Sequence, residues 1–318
     1  LALHDRYSLG GSRRFVISGA SGLLGSGLCE VLSTGGHAPI ALVRESSRIP
    51  DTAAGSVTWD PVSGAVDAEC LEGADCVVHL AGESIASGRW SDSRRKSIRD
   101  SRVVGTRLLA ETLASLSDPP ETLICASATG WYGDRGDEPL SEQANSGAGF
   151  LADVCRDWEA AAEPARKAGI RVVHLRFGMI LWPAGGALRQ MLPIFRAGAG
   201  GRIGSGRQFW SWVSRDDAIG SVLHAASNGA LTGPVNVVSP GPVRNQTFVA
   251  VLGSVLDRPT VVPVPASILR IKMGSMADEL LLSSARVIPE RLQETGYEFQ
   301  DPELEPALRH MFGRPDTR

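Results

Sequence analysis

The chain has 318 residues, 43% apolar and 21% charged, the balance of a soluble globular protein, which excludes disordered, collagen-like and disulfide-scaffold classes. Lys and Arg number 32 against 35 Asp and Glu, so a net charge of −3 leaves no bulk field to recruit nucleic acid or anionic lipid. No apolar run approaches the roughly 18 residues of a membrane span, and the N-terminal stretch lacks a secretory apolar core. The cysteines (Cys29, Cys70, Cys76, Cys125, Cys155) form no CxxC pair and match no zinc spacing. They indicate a reducing cytoplasm and no metal site.

Residues 1–13 are polar and aperiodic, begin with Leu, and read as a tail or linker. Strand and helix signals then alternate. Short apolar runs at 15–18, 40–43, 57–59, 76–80, 123–126 and 172–175 predict buried strands. Helical spacing is predicted over 23–32, over about 92–116 and over 150–167. This rhythm predicts an α/β fold, a doubly wound parallel sheet of Rossmann type with helices on both faces. From Ile180 onward Gly and Pro become dense, and residues 261–265 (Val-Val-Pro-Val-Pro) look β-like. We read this part as a smaller C-terminal lobe whose chain returns to the sheet around 213–240.

Directly after the first strand, Gly19, Gly22 and Gly25 stand at positions one, four and seven of Gly-Ala-Ser-Gly-Leu-Leu-Gly. One glycine permits a tight turn, another lets a pyrophosphate approach the backbone, and the third lets helix and strand pack closely. The helix N-terminus that follows presents unpaired N–H groups and partial positive charge. Gly19, Ser21, Gly22, Leu23, Leu24 and Gly25 are therefore candidate cofactor-binding residues. The second strand ends in Val43-Arg44, where an NAD-selective site usually has Asp or Glu. The fork of donors on Arg44 suits a 2′-phosphate, which favours NADP(H) over NAD(H).

Further motifs carry a resemblance. His-Leu-Ala-Gly (79–82), Val-Gly-Thr (104–106), Tyr132-Gly133, Arg176-Phe-Gly178 and the stretch from Gly204 to Asp217 resemble an extended short-chain dehydrogenase/reductase. More narrowly, Ala81-Gly82-Glu83, Gly88-Arg89-Trp90, Ser101-Arg102, the run from Trp158-Glu159 to Ala162, Val287-Ile-Pro289 and Gly296-Tyr297 resemble an atypical subgroup, the epimerase family of nucleoside-diphosphate-sugar epimerases. The likeness runs from about residue 14 to 312. It implies an NADP-binding Rossmann domain (14–180 with 207–240) and a substrate lobe (181–206 with 241–318). It further implies that Leu80 and Ala81, with Gly82 beside them, border the adenine. Arg102 takes a place usually held by Asn, and Ile180 lies on the nicotinamide side. In some relatives an additional domain precedes this one, which fits the Leu start and the linker-like 1–13.

The superfamily's hydride chemistry uses a Tyr followed four residues later by a Lys that lowers its pKa. The only tyrosines here are Tyr7, Tyr132 and Tyr297, with Gly11, Gly136 and Asp301 four residues further on. The standard pair is absent. Ser127 or Thr129, just past the fifth strand, can orient a reacting carbonyl, and Tyr132 can exchange a proton. Asp153 and Glu159 are carboxylates on the next helix. Arg89 and Trp90, and Arg207 near Phe209 and Trp210, combine guanidinium donors with aromatic surface suited to an anionic substrate such as a nucleotide sugar. Arg94-Arg95-Lys96 reads as a solvated helix face, and Asp217 as a cap or first-turn acid. The expected function is an NADP(H)-dependent epimerase or oxidoreductase of atypical mechanism; the alternative is a non-catalytic NADP(H) sensor or scaffold.

Overall fold

In the computed structural model, which describes residues 9, 11–45 and 48–315, eight strands build the central sheet. These are β1 (Arg14–Ser18), β2 (Ala38–Val43), β3 (Gly55–Asp60), β4 (Ala65–Val66), β5 (Cys76–His79), β6 (Thr122–Ala128), β7 (Arg171–Phe177) and β8 (Gly233–Val237). They lie in the order β8-β7-β6-β5-β1-β2-β3-β4. Only the β3–β4 pairing at the edge is antiparallel. The chain reverses its direction of growth between β1 and β5, and open α/β sheets bind ligands at that crevice.

The helices that matter are α1 (Leu23–Thr34), α2 (Asp92–Ala114), α3 (Phe150–Ala160), α4 (Glu163–Lys167), α5 (Gly186–Arg196), α6 (Arg215–Ser227), α7 (Asn245–Leu256), α8 (Ala266–Met273) and α9 (Leu304–Met311). On one face of the sheet, Leu28 and Leu32 of α1 meet Ile219 and Leu223 of α6. On the other, Leu109 and Leu113 of α2 meet Ala162 and Ala165. Both faces of the strands are therefore covered, which is why they read as unbroken apolar runs. A separate core joins Leu188, Leu192 and Phe195 of α5 to Phe248 and Leu252 of α7 and Leu308 of α9, with Trp210 and Trp212 between them.

Two expectations need correction, and two are refined. The single helix across 150–167 is two helices, because Pro164 lacks the N–H to continue the ladder and sits in the first turn of α4. Residues 261–265 form isolated bridges from Val261 to Gly201 and from Val264 to Ile203 instead of a strand, since Pro263 and Pro265 cannot donate. In the return segment, β8 joins the sheet, whereas Trp212–Ser214 pairs with Met179–Leu181 in a separate ladder. Within the N-terminal tail, Leu9 is buried in the first core; residues 1–8 and 10 lie outside the described residues. All five cysteines are free thiols, and among the described residues no helix is long and apolar enough to cross a membrane.

The lobe is tied to α6 through Asp217. Ser214 is the cap of α6, its Oγ accepting the Asp217 N–H at 3.1 Å. The buried Asp217 carboxylate accepts from Tyr297 Oη at 3.0 Å and from the backbone N–H groups of Gln300 and Asp301 at 2.8 and 2.9 Å. Replacing it strands several buried donors. Asp217→Ala is expected to lower the unfolding free energy by about 3 kcal/mol in a urea titration, and a loss below about 1 kcal/mol would contradict this assignment.

Candidate functional site

The Gly-rich turn joins β1 to α1. Gly19 has φ +70°, a left-handed conformation that glycine adopts without steric cost. A Cβ there would stand 2.8 Å from the Leu80 carbonyl carbon, so the turn lies directly against the end of β5. The Gly22 N–H donates to the Gly19 carbonyl at 2.9 Å. A Cβ on Gly25 would come within 2.2 Å of that same oxygen. Gly22 caps α1 with no side-chain acceptor, and the first turn holds no acid. The partial positive charge of this helix end is thus left for a ligand.

Around this turn the structure gathers several predicted residues. Ser21 and Gly22 are exposed, Leu23 is half-buried, and Leu24 and Gly25 are buried. Arg215 of α6 donates through Nε to the Leu23 carbonyl at 2.9 Å and stacks over Trp182 with its guanidinium 4.9 Å from the ring centre. Leu80 N–H donates to the Ser18 carbonyl at 3.1 Å, and Ala81 N–H to Ser18 Oγ at 3.3 Å. Half-buried Ile180 pairs in register with Val213. Arg44 is exposed immediately after β2, next to exposed Glu45. Arg102 has a different engagement. Its guanidinium donates to the carbonyls of Ile98 (3.0 Å) and Glu83 (2.9 Å), stacks over Trp158 at 5.2 Å, and so braces the loop that carries Gly82.

The end of β6 holds a buried ionic network. Ser127 Oγ donates to Glu159 Oε1 at 2.7 Å, and Arg176 grips both oxygens of Glu159 at 2.8 Å. Arg176 is 2% exposed and lies 3.9 Å from the Trp131 ring centre. Its Nη1 also donates to Tyr132 Oη at 3.1 Å. That phenol is fully buried, lies 2.7 Å from Asn236 Oδ1 as its donor, and has its pKa pushed up by burial. Thr129 opens the turn Thr129–Tyr132 and is half-buried. Asp153 lies apart from this network, paired with Arg156.

Sequence reasoning missed the Glu159–Arg176 pair. The two residues lie 17 positions apart on different elements, α3 and β7, and only the fold brings their side chains together. The basic run 94–96 is also corrected. Arg94 pairs with Glu83, and Arg95 lies 4.9 Å from the Phe150 ring centre while donating to Ser275 Oγ at 2.6 Å; of the three, Lys96 alone faces outward, toward Asp100. Trp90 is buried against Phe150 and Met276, with its Nε1 donating to the Ile85 carbonyl. Arg89 is exposed beside Gly274. Arg207, also exposed, stands with Arg244, which lies over Phe209.

His79 closes β5 under the turn. Its Nδ1 lies 2.6 Å from Ser18 Oγ, Nε2 has no partner, and burial pushes its pKa down to about 4. The unfolded chain protonates this imidazole below about pH 6.5, whereas the native state resists until about pH 4. Stability is therefore lost as pH falls through that window, by about 3 kcal/mol from this group alone. Burial also depresses His174 and His224, so His79 is isolated by comparison with a variant. Denaturant titrations between pH 7 and 4 should show a shallower decline for His79→Gln than for the wild type. Identical slopes would contradict this.

The description NAD dependent epimerase/dehydratase family matches residues 15–238, and a domain of unknown function (DUF1731) matches 264–311. The epimerase family protein Mb2239 of Mycobacterium bovis is 41% identical over 299 residues, covering 94% of this chain and 97% of that protein. The crystal structure of human epimerase family protein SDR39U1 (isoform 2) with NADPH superposes with a TM-score of 0.84 at 30% identity, covering 94% of this chain and 98% of that one. A nucleoside-diphosphate sugar epimerase from Corynebacterium glutamicum gives 0.80 at 35% identity; it covers 98% of this chain, which spans only 61% of that longer protein. With the glycine turn, the crevice and a relative at this level of identity, the chain belongs to the NAD-dependent epimerase/dehydratase family.

Proposed function

We propose that this protein binds NADP(H) and acts on a nucleotide sugar without a Tyr/Lys pair. One observation carries the reading: a glycine cradle at an uncapped helix end, followed by a strand that ends in Arg44 where NAD-selective sites place an acid. The amides of Ser21, Leu23, Leu24 and Gly25 hold the diphosphate, Leu80, Ala81 and Gly82 border the adenine, and Arg44 forks onto the 2′-phosphate. Arg102 shapes the adenine side by bracing the 81–83 loop, and Ile180 lines the nicotinamide side. When bound, the nicotinamide supplies or accepts a hydride. Residues 14–180 with 207–240 form the cofactor unit; 181–206 with 241–318 form the substrate lobe, which the separate core around Phe248 supports. NADPH in the human relative and the nucleoside-diphosphate sugar epimerase neighbour support the choice of ligands.

At the reacting end, Thr129 is the accessible hydroxyl beside the β6 terminus, suited to orient a carbonyl oxygen. Ser127, whose proton points to Glu159, couples that region to a carboxylate able to take a proton once its bond to Arg176 loosens. Tyr132 holds the turn in place, because its phenol is spent on Asn236 and Arg176. Arg89 offers a surface donor to the substrate, and Trp90 fixes the loop that carries it. Four buried free thiols and a half-buried fifth support a reducing compartment such as the cytoplasm.

The burial of Tyr132 favours a second reading, an NADP(H) sensor without turnover. Incubation with NADP(H) and a nucleotide-sugar panel, read both by NADPH oxidation and by chromatography of the sugar products, separates the two: turnover by either readout is expected, and binding with neither identifies the sensor. Cofactor choice is tested by Arg44→Asp. NADPH affinity is expected to fall at least about tenfold, the worth of one charge-assisted bond, while NADH affinity changes by less than about threefold. Equal losses would contradict the 2′-phosphate role.

A further inference from the structure

Away from the glycine turn, Arg244 and Arg286 stand over one aromatic ring, and Arg207 lies beside Arg244. The guanidinium carbons of Arg244 and Arg286 lie 4.4 and 5.4 Å from the Phe209 ring centre. Arg244 is fixed further by Asp137, with Nη2 at 2.8 Å and Nη1 at 3.2 Å from its two carboxylate oxygens, and by donation to the Arg207 carbonyl. Asp137 faces all three cations. Its carboxyl is held below the usual range first by the Arg244 hydrogen bond, then by the charges of Arg244, Arg207 and Arg286. Among the described residues, Arg207 and Arg286 form no ion pair, and both are exposed.

The backbone beneath is ordered. Phe209 pairs with Arg244 in an antiparallel ladder, and Arg286 pairs with Pro139 in a parallel one. The Phe209 N–H donates to Ser284 Oγ at 2.9 Å, which joins the two ladders. Three guanidinia against one carboxylate leave a local excess of positive charge in a chain whose net charge is −3. Repulsion among them is relieved by an anion, and planar five-donor forks match the oxygens of a phosphoryl group. We propose that Arg207, Arg244 and Arg286 form a second anion site, separate from the glycine turn, that takes the phosphoryl group of a small phosphorylated molecule.

Inorganic pyrophosphate is the probe. Calorimetric titration into the full chain saturated with NADPH, so that the glycine turn is filled, should show one further site that weakens as salt rises. The double variant Arg207→Gln/Arg286→Gln should bind pyrophosphate at least about tenfold more weakly. It spares the Arg244–Asp137 pair, so its melting temperature and its affinity for NADPH should match the wild type. The proposal is overturned if the NADPH-saturated protein gives no heat with pyrophosphate. Undiminished affinity in the double variant overturns it too, as does binding seen only with a single-stranded oligonucleotide.

Discussion

The carbonyl oxygen of Gly19 is the contact on which the rest of the molecule turns. It accepts the Gly22 N–H and occupies the space that a side chain on Gly25 would need. With Gly19 itself pressed against the Leu80 backbone, β1, α1 and the end of β5 meet with no side chain between them. That closeness brings the first turn of α1 to the crevice where the sheet reverses. Because Gly22 caps the helix without a side-chain acceptor, the amides there keep their affinity for an anion. Arg215 and Trp182 then hold the outer side of the same turn, so the lobe-proximal chain and the cofactor helix share one support.

In this chain, which has no Tyr followed four residues later by Lys, the end of β6 carries a closed polar network. Arg176 satisfies both oxygens of Glu159, Ser127 adds a third bond, and Tyr132 and Asn236 extend it. A buried pair that complete tolerates its desolvation, whereas removing one partner leaves an uncompensated charge. The network stiffens the Thr129–Tyr132 turn at the C-terminal edge of the sheet. Two hydroxyls, Ser127 and Thr129, and the guarded carboxylate of Glu159 stand at that edge.

Much of this was legible in the residues themselves. The glycine spacing after an apolar run located the close-packed turn between β1 and α1, and the alternation of strand and helix signals located the parallel sheet. Features set by long-range packing were not. Arg94 and Arg95 belong to a basic run that looks solvated, yet Glu83, Phe150 and Ser275 come from elsewhere to receive them. Tyr132 looks like an available phenol until Arg176 and Asn236 enclose it. The lobe was the least readable part, because its short ladders are interrupted by prolines and depend on partners tens of residues away. Glu279 is a case in point: it receives the first N–H groups of α3 from Phe150 and Leu151, a cap supplied from a distant segment.

Donation of first-turn amides to a diphosphate is the central claim, and hydrogen exchange reads it directly. The amides of Ser21, Leu23, Leu24 and Gly25 should exchange rapidly in the free protein and slow at least about tenfold when NADPH saturates it, as a newly made hydrogen bond requires. Exchange at those four positions that stays the same with NADPH bound would contradict the account.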